Sequence, residues 1–289
     1  MNDVDRARLG RVTREGGTRL AACILAAVVV YALAAPALSP WPYDGIDWDA
    51  IDTPPSATHW LGTDTAGRDL FVRIAMGART SLTVALLATA VSFAIGLPWG
   101  AIAGYAGGRV DQVMMRVVDV LYALPFVFVV ILLVVVFGRN LYLLFVALGA
   151  VSWLDLARIV RGQTLRLREE TFVLAARALG QSPPRILRHH VVPNLLGPTI
   201  VYTTLTVPGV MLAESFLSFL GLGVQEPDTS WGVLIADGAR DMESSPWSLL
   251  FPAAFFAATL WSLNMLGDRL RDVFDPRMAH RGVERPPPH

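Results

Sequence analysis

Two histidines stand side by side in LAARALGQSPPRILRHHVVPN, residues 174–194, with Arg177, Arg185 and Arg188 close by. Residues of these types serve metal binding, proton transfer, or contact with an anionic partner such as nucleic acid. Consecutive helical residues point about 100° apart, so His189 and His190 make a poor metal pair, and no Asp, Glu or Cys lies close by to complete a ligand set. The better expectation for both is an interfacial imidazole that packs or hydrogen-bonds near lipid headgroups.

A second stretch, LGTDTAGRD (61–69), gathers Gly and Asp as nucleotide or metal sites do. It lacks the G-K-[ST] ending of a phosphate-binding loop. Gly62, Asp64, Arg68 and Asp69 are therefore expected to form a capped structural turn, with Asp64, Arg68 and Asp69 as a local charge cluster.

The elements that must position these residues follow from composition. Of 289 residues 54% are hydrophobic and only 17% charged, with a mean hydropathy of +0.49, far from the usual balance of a water-soluble domain. Net charge is formally zero, every basic residue other than histidine is Arg, and the single cysteine, Cys23, leaves no intrachain disulfide and no cysteine metal site.

A bilayer core of about 30 Å takes about 20 apolar helical residues per crossing. Six stretches fit: 20–38, 81–104, 118–137, 140–158, 195–219 and 247–267. Lipid offers no partner to an unpaired peptide group, and these uninterrupted runs do not alternate as barrel strands do, so the fold class is an all-α integral membrane bundle.

Arginine placement orients it. The tail 1–19 holds five, the stretch 159–194 is rich in them, and the tail 268–289 holds five more, whereas 39–80 and 220–246 are acidic. The positive-inside rule makes both termini and 159–194 cytoplasmic and puts 39–80 and 220–246 outside, away from cytoplasmic ATP. The Arg-rich start, apolar run and ALAAPA resemble a cleavable leader, but the run is long enough to span and is expected to be the first transmembrane helix.

Pro98, Pro125, Pro198, Pro208 and Pro252 lie in or at the ends of these runs, where each can kink a helix. Ionisable residues at membrane depth are few. Asp119 and Glu214 sit near span ends, and Asp155 and Arg158, three apart, are expected to pair on one helix face near the cytoplasmic surface. Nothing sits at a clear midplane position, which argues against a proton- or sodium-coupled carrier. All five histidines lie outside the spans, which argues against an intramembrane hydrolase, since that needs a base or metal ligands at depth.

The cytoplasmic stretch 159–194 is long and patterned, and two short helices are expected in it. TFVLAARAL, from Thr171, should stop at a left-handed Gly180. Ser182 should cap a second helix with Pro183 as its first residue, RILRHHVV following, and Pro193 ending it. Such a pair has no room for the third helix of a nucleic-acid reader, so no nucleic-acid partner is expected. Its small and apolar residues point instead to docking of another protein.

AARALG, then nine residues, then HVVPN resembles the cytoplasmic coupling loop of the membrane subunits of ABC importers. HWLGTDTAGRDLFVRIAMGARTSL (59–82), ESFLSFLGLGVQEPDTSWG (214–232) and LRDVFDPR (270–277) are similar to the C-type permease subunit of the peptide and nickel branch. Within it, VSWLDLARIVRGQTL (151–165) and DMESSPWSLLFPA (241–253) look most like the oligopeptide permeases, with dipeptide, glutathione or nickel relatives as the alternative.

The resemblance implies a type I importer permease fold in a bacterial plasma (inner) membrane, a multi-pass chain with no catalytic, cofactor or metal residues of its own. ATP and Mg would sit on two partner ATPase subunits. A second homologous permease chain would complete a heterodimer, and an extracytoplasmic peptide-binding protein would dock outside. It assigns ATPase coupling to Phe172, Leu174, Ala175, Ala176, Leu179, Gly180, Ser182, Pro183 and Arg185, and the loop–membrane junction to His190, Pro193 and Asn194. One departure stands out: the family has Glu where this chain has Leu174.

Overall fold

The computed structural model describes residues 3–138 and 141–274. The first helix, α1 (Asp3–Leu38), runs back through the Arg-rich stretch expected as a tail. An irregular segment, 39–69, leads to α2 (Leu70–Ala106), whose 37 residues extend roughly 55 Å at 1.5 Å per residue. Then come α3 (Gly108–Tyr122), α4 (Phe126–Phe137) and α5 (Leu141–Leu167). Two short helices, α6 (Thr171–Ala178) and α7 (Pro183–Ile186), pass through a π turn (Leu187–Val191) into α8 (Val192–Phe219). The chain ends in α9 (Trp231–Arg240) and α10 (Pro246–Phe274). The expected tail beyond 274, with His280 and His289, and Arg139 lie outside the described residues.

Four stretches of the described residues are long and apolar enough to cross a bilayer: Gly16–Leu38, Leu70–Ala106, Pro183–Phe219 and Pro246–Val273. A fifth is reached only by joining α3 to α4, which are bent 80° from one another. The stretch 118–137, expected as one helix, is therefore broken. Pro125 has no N–H and disfavours helical geometry at Leu124. The amide of Ala123 closes α3 on the carbonyl of Asp119 at 3.0 Å, and the helix restarts with Phe128 N donating to Pro125 O at 3.0 Å. The helix that holds the expected span 140–158 continues to Leu167.

Pro193 does not end the second short helix. It falls in the first turn of α8, and the π turn before it joins α7 to α8 without a break, so the helix runs on past the proline despite its missing N–H.

The contact between α2 and α5 is set by glycine. Gly96, Gly100 and Gly104 recur every four residues along one face of α2, so the two backbones approach closely, as small-xxx-small ridges allow. A methyl group on Gly104 would lie 2.7 Å from Thr164 Cβ, and one on Gly96 would lie 2.9 Å from Leu156 Cβ. From the other side Gly149 faces Val91 in the same way. Asp111 then ties α3 to α5, accepting from Arg161 Nε and Nη2 at 2.6 Å each.

One core centres on Trp231, fully buried among α2, α8 and α10, with its indole N–H donating to Ile74 O at 3.1 Å. A second lies towards the far end of α2, where Leu97 and Ala101 meet Leu156 and Val160 of α5 and Val173, Ala176, Ile186 and Val191 of the α6–π-turn segment. The two regions carrying the chemistry-bearing sequences thus sit at opposite ends of α2.

Candidate functional site

At the far end of α2, α6 presents two faces. Val173 and Ala176 are turned inwards and buried. Ala176, expected on the docking surface, is thus the small residue that lets α6 sit on the bundle. Outwards it shows Phe172, Leu174 and Leu179, 41%, 43% and 81% exposed, with Ala175 beside them. The short helix thus leaves an apolar face open while its other face is buried.

Its end is sharply defined. Gly180 has φ +75°, its amide donates to Arg177 O at 3.0 Å, and Gln181 N donates to Ala176 O at 3.1 Å. This is the paired bonding of a left-handed helix stop. Ser182 occupies the cap position of α7 with Pro183 next, but its hydroxyl makes no capping bond; the carbonyl of Ser182 instead receives Arg185 N at 2.9 Å and Ile186 N at 3.0 Å. Arg185 is exposed, and its carbonyl lies 3.1 Å from His189 Nδ1. His190 Nε2 lies 3.2 Å from Gln181 Oε1, and Asn194 donates to the carbonyl of His190 at 2.6 Å. Both imidazoles are engaged in local hydrogen bonds.

At the opposite end the 39–69 segment is tied by charge. Asp64 Oδ1 accepts from the amides of Ala66 and Arg68, at 2.9 Å each, and Oδ2 accepts from Arg68 Nε at 2.8 Å. Arg68 reaches across to Glu226 Oε1 at 2.7 Å, and the Arg68 hydrogen bond holds the Glu226 carboxyl below the usual carboxylate range. Asp237, on α9 at the same end, is pushed the other way by burial. Gly62 takes φ +80° where a side chain would strike Trp247, the methyl carbon lying 2.9 Å from Cδ1.

Asp69 caps α2, Oδ1 accepting from Val72 N at 3.0 Å, while Oδ2 meets Nδ1 of the buried His59 at 2.9 Å. Replacing Asp69 with Ala removes both bonds and is expected to cost about 1–2 kcal/mol, read as a lowered melting temperature of the detergent-solubilised protein. Asp69→Asn, which can still cap, should lose less. An Asp69→Ala protein that melts with wild type would show that neither bond carries weight.

Three features escaped the sequence reading. Glu214 is fully buried, accepting hydrogen bonds from Ser81 on α2, Ser218 on α8 and Ser230 at the start of α9. The glycine ridge on α2 was legible in its four-residue spacing. Arg158 does not pair with Asp155; it donates to Asp119 Oδ1 at 3.0 Å and lies over the Tyr122 ring at 4.3 Å, because α3 brings a carboxylate and an aromatic face to it. Among the described residues no group of three or more His, Cys, Asp or Glu could hold a metal ion.

Residues 96–280 match the family of binding-protein-dependent transport system inner membrane components. The chain is 50% identical over 256 residues to the oligopeptide transport system permease protein OppC of Haemophilus influenzae, covering 88% of this chain and 82% of that one. It is 51% identical over 256 residues to OppC of Escherichia coli K12, with coverage of 88% and 85%. It is 47% identical over 256 residues to the dipeptide transport system permease protein DppC of Bacillus subtilis, with coverage of 88% and 80%. In fold it is similar to a chain of the MetNI methionine ABC transporter in an inward-facing conformation, at a TM-score of 0.58 and 19% identity, over 70% of this chain and 97% of that one.

Proposed function

We propose, from the premise that the chain belongs to the binding-protein-dependent transport system inner membrane components, that it is the C-type permease subunit of an ATP-driven oligopeptide importer. It is a multi-pass inner-membrane protein and a non-catalytic transport subunit, working with ATPase and binding-protein partners. Oligopeptides rather than dipeptides are the substrate class, supported by OppC relatives at 50% and 51% identity. The assembly is a heterodimer with a second permease, carried by two ATPase subunits on the cytoplasmic side, and the chain crosses six times with both termini in the cytoplasm.

The observation that carries the mechanism is the face of α6. Phe172, Leu174 and Leu179 form an exposed apolar surface on a helix seated through Val173 and Ala176. Burying each of those large side chains in a partner is worth about 1.5–3 kcal/mol before the cost of association. Leu174 stands where the importer pattern has Glu, so this chain offers an apolar side chain rather than a carboxylate at that point. Because α6 is seated on α7 and the π turn, and the π turn packs on α2 and α8, ATP-driven closure of the ATPases moves the bundle through that segment.

The experiment is reconstitution of this chain with its partner permease, ATPases and binding protein in liposomes, measuring peptide uptake and ATP hydrolysis together. Gly180→Val forces a β-branched residue into a left-handed position at φ +75°, at a cost of about 1–3 kcal/mol. That strain misdirects the stop of α6. ATP hydrolysis should persist while peptide uptake falls at least tenfold, and Gly180→Asn, which tolerates that conformation, should retain most uptake. Undiminished uptake in Gly180→Val would remove α6 from the coupling path.

A further inference from the structure

Over residues 151–167 most of the circumference of α5 is closed by protein. Trp153, Leu154, Leu156, Ala157 and Val160 are buried, and the open face is narrow. At helical spacing that face carries Ser152, Asp155, Ile159, Gly162 and Arg166, of which Asp155, Gly162 and Arg166 are exposed. The open face of α4 is of another kind, with Phe128, Leu132 and Val135 at 69%, 63% and 75% exposure. Only the α4 face suits hydrocarbon. An ionised side chain turned to lipid hydrocarbon is costly, so Asp155 on that stripe faces water or protein.

Asp155 is the charge that stripe leaves uncompensated. On an isolated helix Arg158, three residues on, would neutralise it. Here the guanidinium is taken by Asp119 at 3.0 Å and by the Tyr122 ring, and Asp155 makes no hydrogen bond or ion pair among the described residues. Asp155 instead borders a cavity of about 250 Å³ between α4, α5 and α8, lined also by Phe126, Leu148, Ser152, Thr206 and Gly209. Gly209 leaves that space open, since a methyl group there would meet nothing within 4 Å.

We propose that this cavity is a station on the translocation path, and that Asp155 there receives the ammonium group of a passing peptide, a protonated N-terminus or a lysine side chain. The inference rests on the permease reading and adds to it a residue that discriminates by charge. An apolar pocket with one carboxylate suits a short-lived stop. The ammonium is attracted by a unit charge, while few other polar groups hold the rest of the peptide.

The test uses the whole transporter in liposomes, with uptake of trialanine and N-acetyl-trialanine each normalised to occupancy of the binding protein. Asp155→Asn should lower the trialanine to N-acetyl-trialanine ratio about fivefold, the factor one charge at contact supplies in watery surroundings, and Asp155→Glu should restore it. An unchanged ratio in Asp155→Asn overturns the proposal. Independently of uptake, Ser152→Cys in a Cys23→Ser background should react about fivefold faster with a cationic than with an anionic methanethiosulfonate of similar size, and adding Asp155→Asn should abolish that preference. Failure of both reagents to reach Ser152→Cys would place the stripe against protein or lipid and also overturn it. A wild-type transporter that carries neither peptide removes the permease reading itself, whereas one that carries both with an Asp155-independent ratio removes only this inference.

Discussion

Gly100→Val is expected to prevent the chain from accumulating in folded form. At Gly100 a methyl group would meet the carbonyl oxygen of Ala157 and lie 2.8 Å from both Arg161 N and Val160 Cβ. Two of these three atoms belong to the α5 backbone and cannot rotate away. Relief requires the helices to separate, which opens the ridge at Gly96 and Gly104 as well and strains the Asp111–Arg161 tie. Overpacking of a core commonly costs about 1–3 kcal/mol; against fixed backbone the upper end or beyond is expected, a large share of a typical total stability of about 5–15 kcal/mol. The measurement is yield after detergent extraction together with the melting temperature of what remains. Gly162→Ala on α5 is the control, because a methyl group there meets nothing within 4 Å, and it should melt at or slightly above wild type. A Gly100→Val protein as abundant and as stable as that control would show that the close approach is dispensable.

Much of this arrangement was legible before any coordinates. The apolar runs locate the helices because lipid permits little else, and Gly180 stands where a helix must turn left-handed. Pro125 was legible as a kink, but the 80° angle it accompanies depends on how α3 and α4 pack, which no local pattern encodes. Pro193 misled because proline both stops helices and starts them, and only the π turn before it decides which. The misassigned charges fail for one reason. Arg158 and Asp155 are neighbours in sequence, yet the partner Arg158 takes is Asp119, 39 residues away. Glu214 likewise looked like a carboxylate near a span end, because two of its three hydroxyl partners are brought by other segments, Ser81 from α2 and Ser230 from the start of α9.

That last site carries the second large effect. Ser81 Oγ accepts from Trp231 N at 3.1 Å, and Ser230 Oγ accepts from Val233 N at 3.2 Å. With an amide already donating to each hydroxyl, each has one proton to give, and it goes to Glu214, at 3.2 Å from Ser81 and 2.6 Å from Ser230. Ser218 adds a third donor at 2.9 Å. The carboxyl therefore fixes both hydroxyls that receive the first amides of α9, and so holds Trp231 in the core. Glu214→Ala leaves three buried hydroxyl protons without an acceptor and opens a cavity, for an expected loss of about 3–5 kcal/mol. Glu214→Gln keeps one acceptor oxygen but turns an amino group towards a hydroxyl that must reverse, so roughly half that loss is expected. Both should appear as lowered melting temperatures in the order wild type, Gln, Ala, with trypsin cleavage after Arg240 accelerating in the same order as α9 loosens. Cleavage at the wild-type rate in Glu214→Ala would mean that Trp231 and the Arg68–Glu226 pair hold α9 without the carboxyl.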